Sequence, residues 1–149
     1  MKIEQEIQQK RPFRSYYQRA AVCLLYTNNW LCDKIKEKLK PHDITLTQYN
    51  VLRILRGAGK PLSTACIRER MIDKNSDTSR LVDRLSKKEW VNRASCCVDK
   101  RKVDVTISQK GLDLIAILEN DDLQLEDFLQ NLNLEEAKLL SNLLDKMRG

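Results

Sequence analysis

Apolar residues along most of this chain recur every three or four positions, the period at which one face of an α-helix is turned to a core. From Ser15 to Leu39 the set Ala20, Leu24, Trp30, Leu31 and Ile35 keeps that spacing between polar faces and predicts one long helix. Pro41 ends it, because proline removes a backbone donor and biases the preceding residue away from helical geometry. Thr45-Leu-Thr-Gln48 reads as a capping box, with the Thr45 hydroxyl accepting from the Gln48 N–H and the Gln48 side chain reaching back. The helix it starts carries Leu46, Tyr49, Val51, Leu52, Ile54 and Leu55 and is ended by Gly57 to Pro61. Ser63 offers an N-cap for a short third helix through Met71, with Ile67 as its core residue, and Asp73, Lys74 and Asn75 make a tight connection.

A fourth helix, Ser76 to Lys88, sets Thr78, Leu81, Val82 and Leu85 in one stripe. Its other face carries Ser76, Asp77, Ser79, Arg80, Asp83, Arg84 and Lys87. After Trp90 the period drops to two. Val91 and then Val103, Val105 and Ile107 alternate with Asn92, Lys102, Asp104 and Thr106, which predicts the two strands of a hairpin. Ser95 to Arg101 is too long for a two-residue turn and predicts a projecting tip carrying Asp99, Lys100 and Arg101. Ser108 opens a fifth helix with Gly111, Leu112, Ile115, Leu118, Leu125 and Leu129. Asn133-Leu-Glu-Glu136 is a second capping box, starting a last helix with Leu139, Leu140, Leu143, Leu144 and Met147.

Charge divides the same elements unevenly. Residues 45–110 hold fifteen Lys or Arg against seven Asp or Glu, while residues 111–149 hold three against nine, so the overall +6 is concentrated in the middle of the chain. A basic module beside an acidic helical end is the signature of a polyanion-binding lobe joined to a separate assembly surface. The expected fold is therefore mainly α with a small β-hairpin: a winged helix-turn-helix lobe over 45–110, and helices from both termini, 1–44 and 111–149, for dimerisation. Leu-rich on several faces and separated in sequence by the whole basic module, the terminal helices have more apolar surface than a chain of 149 residues can cover alone. A twofold dimer would also present two reading helices to half-sites about one helical turn apart.

The five cysteines, Cys23, Cys32, Cys66, Cys96 and Cys97, form no C-x-x-C pair, and His42 is the sole histidine, in a loop beside Pro41. Neither a tetrahedral zinc site nor thiol catalysis with a histidine base finds its residues, so no cofactor and no enzymatic activity are expected. Residues 1–10 are polar and no apolar run approaches membrane-spanning length, which points to a cytoplasmic protein without membrane contact.

Taken together, Ile44-Thr45-Leu-Thr-Gln48, Leu62-Ser63, Arg80-Leu-Val-Asp-Arg-Leu85, Trp90-Val-Asn-Arg93, Asp99-Lys-Arg101 and Val105-Thr-Ile-Ser-Gln-Lys-Gly111 resemble, in order and spacing, the MarR family of bacterial regulators. The resemblance implies a triangular homodimer that sets two winged lobes on a near-palindromic operator in double-stranded DNA and commonly represses transcription. Carried over, it places Ser76, Asp77, Ser79 and Arg80 at base edges, Arg84 at phosphate, and Arg101 in the minor groove with Asp99 as its organising partner. Ser63, Thr64 and Lys100 join them as candidate DNA contacts. The chemistry of the residues agrees, since Arg80 can pair bidentately with guanine and narrow grooves attract arginine. Asp77 has two readings, a carboxylate accepting from cytosine or a helix N-terminal charge favoured by the macrodipole. Glu89 stands where the family usually has glycine, a departure that strains a left-handed helix cap.

The same resemblance implies release from DNA by a small aromatic or anionic effector. Tyr26, Trp30 and Tyr49 are candidates for its pocket, although at helical spacing they also read as packing residues. Redox sensing is the alternative within the fold. Cys23 lies on the first helix near Tyr26, and Lys100 and Arg101 would favour thiolate at Cys96 and Cys97, while the plain reading of all three is an ordinary thiol. An alternative of another class, a winged-helix module for protein contacts, would bind with little salt dependence.

Overall fold

The computed structural model describes residues 2–95, 103–122 and 124–149 and divides the chain into two compact units, Met1–Leu46 and Thr47–Gly149. In the first unit a short helix α1 (Ile3–Glu6) precedes the long α2 (Tyr16–Leu39), which a 3-10 turn at Lys40–His42 closes over Pro41. Ser15 caps α2, its side chain accepting from the Gln18 N–H at 3.2 Å, so the predicted start holds. Helix α1 was hidden by the polar composition of residues 1–10. It is secured to α2 by polar contacts, Arg19 Nε to Glu4 Oε1 at 2.7 Å and the Tyr26 hydroxyl donating to Glu6 Oε2 at 3.0 Å. Ile3, Ile35, Leu39 and Ile44 are the buried apolar residues of this unit.

The second unit runs α3 (Leu46–Ala58), β1 (Leu62–Ser63), α4 (Thr64–Arg70), α5 (Thr78–Lys87), β2 (Val91–Ser95), β3 (Val103–Ile107), α6 (Gln109–Ile117), a π-helical turn (Leu118–Asp122), a 3-10 turn (Leu125–Leu129) and α7 (Leu134–Arg148). Strands β2 and β3 pair antiparallel from Val91↔Ile107 to Ser95↔Val103, the predicted hairpin. Strand β1 adds to the other edge of β3 with Leu62 opposite Val105, giving the order β1-β3-β2; two residues are too few to show a period in sequence. The core of the unit is Val51, Leu52, Leu55, Leu62, Ile67, Met71, Leu81, Val82, Leu85, Val91, Val105, Ile115 and Leu118. No described helix is long and apolar enough to cross a membrane.

Two corrections concern the ends of helices. The fifth helix, expected to run on through Leu125 and Leu129, stops at Ile117. Asn and Asp in the run Glu119-Asn-Asp-Asp122 are poor helix formers, and the backbone there takes a π turn in which Glu119 pairs with arginines on α3. The fourth helix begins at Thr78, so Ser76 precedes it, with its hydroxyl donating to Asp73 Oδ2 at 2.8 Å. The box before α7 forms as read, with Asn133 Oδ1 accepting from the Glu136 N–H at 3.0 Å and Glu136 Oε2 accepting from the Asn133 N–H at 2.9 Å.

A tight junction links the end of α5 to the start of α6. Trp90 N–H donates back to the Leu85 carbonyl and Glu89 N–H to the Ser86 carbonyl, both at 3.0 Å, the Schellman arrangement that requires a left-handed residue between them. Glu89 supplies it at φ 61° without being glycine. Its carbonyl accepts from the Ser108 hydroxyl at 2.7 Å, which in turn caps α6 by accepting from the Gly111 N–H at 3.0 Å. At Gly111 the backbones come so close that a Cβ would lie 2.3 Å from the Trp90 carbonyl oxygen and 2.9 Å from Ile107 Cγ1.

Gly111→Ala should therefore destabilise the fold by about 1–3 kcal/mol, because the clash is with backbone that cannot swing away; urea unfolding would show it as a lowered midpoint, and an unchanged midpoint would refute the close approach. Glu89→Gly should have the opposite sign. Relief of left-handed strain, less the greater freedom of glycine in the unfolded chain, is worth up to about 1 kcal/mol, and the exposed Lys110 partner it gives up adds little.

Candidate nucleic-acid interface

Helix α5 is anchored by one face alone. Thr78, Leu81, Val82 and Leu85 are buried, and the helix contacts α4 and β2, while Ser79, Arg80, Asp83, Arg84 and Lys87 are exposed on its other sides. Burial of the three aliphatic side chains is worth about 1.5–3 kcal/mol each, enough to fix the rotation of the helix about its axis. Arg80 has 80% of its side chain exposed.

Asp77 caps α5, Oδ1 accepting from the Arg80 N–H at 3.1 Å, and its Oδ2 lies 3.2 Å from Arg80 Nε. The helix-terminal reading of this carboxylate is thus present in the structure, and the same group holds the arginine at the first turn. Ser63 caps α4 in the same way, its hydroxyl accepting from the Cys66 N–H at 3.2 Å, with Thr64 as the first helical residue. The two helix starts, Thr64, Ala65 and Arg68 on one side and Asn75, Ser76, Asp77, Thr78 and Ser79 on the other, line an open concavity of about 420 Å³. The buried Thr78 Oγ1 on its wall has no hydrogen-bond partner. Sequence reasoning missed Arg68 and Asn75 there; the signal available was Arg68 one helical turn after Thr64 on the polar side of α4.

Connections hold this surface in place. Asp73 organises the turn between the helices, accepting from the Asn75 N–H at 3.0 Å and from Ser76, and Asn50 on α3 accepts from the Ile72 N–H at 3.0 Å. Arg93 on β2 pairs with Asp83 on α5, tying the first wing strand to the exposed helix. Lys88 stands over the Trp90 ring at 4.6 Å. The remaining wing candidates, Asp99, Lys100 and Arg101, and the thiols Cys96 and Cys97, lie outside the described residues.

The proposed effector residues fall in different units. Tyr26 and Trp30 are one turn apart on α2, at 39% and 41% exposure, and Tyr49 is buried in the second unit. Burial raises the Tyr49 phenol pKa, and Arg53 lies 5.8 Å over its ring. Cys23 is half-buried on α2. Among the described residues, no group of three or more metal-ligating side chains comes together.

Comparison with known proteins gives consistent results. The MarR family model matches residues 44–103. The multiple antibiotic resistance protein MarR of Salmonella typhimurium is 33% identical over 131 residues, covering 83% of this chain and 88% of the relative. Among solved structures, a cysteine-to-serine mutant of MarR from E. coli complexed with operator DNA superposes with a TM-score of 0.76 at 25% identity, over 92% of this chain and 99% of that one. The Bordetella bronchiseptica regulator BpsR, solved in a study of how 6-hydroxynicotinic acid regulates its DNA binding, matches at a TM-score of 0.74 and 20% identity, over 93% of this chain and 98% of that one, and so speaks for the fold alone.

Proposed function

Since the chain belongs to the MarR family of transcriptional regulators, we propose that it is a cytoplasmic homodimeric repressor that reads a near-palindromic operator through α5 and the wing, and is released by a small aromatic or anionic effector. One observation carries the DNA reading: α5 is buried along a single stripe and turns Ser79, Arg80 and Arg84 to solvent, beside the concavity shared with the start of α4. A helix presented in this way fits the major groove, about 12 Å wide, with its first turn at the base edges. In this reading Ser76, Asp77, Ser79 and Arg80 contact bases, Ser63, Thr64, Arg84 and Lys100 contact phosphate, and Arg101, organised by Asp99, enters the minor groove.

Dimerisation through residues 1–44 and 111–149 is supported by what the single chain leaves uncovered. Helix α2 exposes Tyr16, Tyr17, Leu25, Tyr26 and Trp30, and α7 exposes Leu134, Leu139, Leu140, Leu143 and Met147, with none of its fifteen residues buried. Apolar surface on that scale fits a partner helix rather than water. The effector reading draws on the half-exposed aromatics Tyr26 and Trp30 of α2.

Arg80→Ala is expected to weaken binding to a selected duplex by about 1–3 kcal/mol, or roughly 5- to 150-fold, and to relax base preference at one position. Arg84→Ala should weaken all sequences alike and lower the salt slope by about one. Arg101→Ala should weaken binding while the sedimenting species remains a dimer. A salt-controlled titration in which all three match the unsubstituted protein would assign the lobe to protein contacts instead.

A further inference from the structure

The strongest feature not used by the DNA reading is a three-residue ionic cluster where the chain leaves the winged lobe. Arg56 on α3 forks onto Glu119, Nη1 donating to Oε2 at 2.6 Å and Nη2 to Oε1 at 2.7 Å. Arg53, one turn earlier, brings its Nε to 3.7 Å from Glu119 Oε1 and lies over the Tyr49 ring. Glu119 follows Leu118, which is fully buried, and belongs to the π turn that breaks the predicted continuation of α6 toward α7. Two adjacent residues therefore secure the exit, one by packing and one by a bidentate pair.

A bidentate guanidinium–carboxylate pair fixes direction as well as distance, which a lysine could not do. π turns concentrate at functional positions, and here the turn follows the helix that buries Gly111 and Ile115 and precedes the one that buries none of its residues. Both partners are about one-third exposed, so the pair is placed to define geometry more than to hold the fold together.

We propose that Arg56 and Glu119 form a positioning strut that sets the angle between the winged lobe and α7, and thereby the half-site separation a dimer accepts. The inference rests on the dimeric DNA-binding reading above. Moving one half-site by a base pair displaces it by about 3.4 Å and turns it by about a tenth of a turn, a change a rigid lobe cannot follow. A lobe released from the strut can.

The test is a set of duplexes carrying two selected half-sites at stepped spacings, titrated with the unsubstituted full chain and with Glu119→Gln, Arg56→Lys and the exchange Arg56→Glu with Glu119→Arg. The unsubstituted protein should lose about tenfold in affinity for each base pair of mis-spacing. The two single variants should lose about threefold or less per step, with affinity for a lone half-site unchanged, and the exchange should restore the steep profile. Equal weakening at every spacing, or a profile as steep as that of the unsubstituted protein, overturns the strut while leaving the DNA reading intact. If the unsubstituted chain is a monomer by sedimentation and binds no duplex, the function proposed above fails and the strut falls with it. Should a single variant unfold early, Arg53→Lys, which leaves the bidentate pair in place, is expected to keep the steep profile, and a flattened one would refute the assignment.

Discussion

Everything the lobe can present to a partner depends on the burial of one stripe of α5. Leu81, Val82 and Leu85 leave water together with Thr78, and their removal fixes which way the remaining residues of a ten-residue helix point. A helix anchored on two faces would have no reading surface, and one anchored on none would have no fixed orientation. Asp77 and Ser63 then satisfy the first backbone donors of α5 and α4 with their own side chains, which lets two helix starts sit side by side at an open concavity.

The wing is carried by the same economy of contacts. Three residues separate the end of α5 from the start of β2, and the reversal is possible because Glu89 accepts a left-handed backbone and Ser108 ties its carbonyl to the first turn of α6. Gly111 is required for a different reason: the Trp90 carbonyl occupies the space its side chain would fill. In this junction a hydroxyl, a strained glutamate and a missing Cβ together place the hairpin relative to the exposed helix, and the Arg93–Asp83 pair closes the remaining side.

Much of this was legible in the sequence, and the reasons are local. Ser15, Ser63, Ser108 and Asn133 all cap the helices they were expected to start, because a capping side chain and the donors it serves are neighbours in the chain. The stripe of α5 and the β2–β3 pairing followed from periodicity alone. What escaped depends on partners distant in sequence: β1 exists only because β3 lies beside it, α1 is secured by polar contacts to Arg19 and Tyr26, and α6 ends where Glu119 meets Arg56 of another helix. The left-handed cap before the wing, which Glu89 strains where the family usually has glycine, forms all the same. At the interface, the exposed cations of α5 were readable as a face, whereas the contribution of Arg68 and Asn75 to the concavity required knowing how the α4–α5 turn folds back.

The central claim, that two copies of this lobe read one duplex from the same side, is tested most directly by hydroxyl-radical footprinting on a duplex selected from random DNA. Two protected patches on one face, centred about 34–36 Å apart, are the predicted pattern. A single patch, or faint protection spread evenly along both strands, would contradict it.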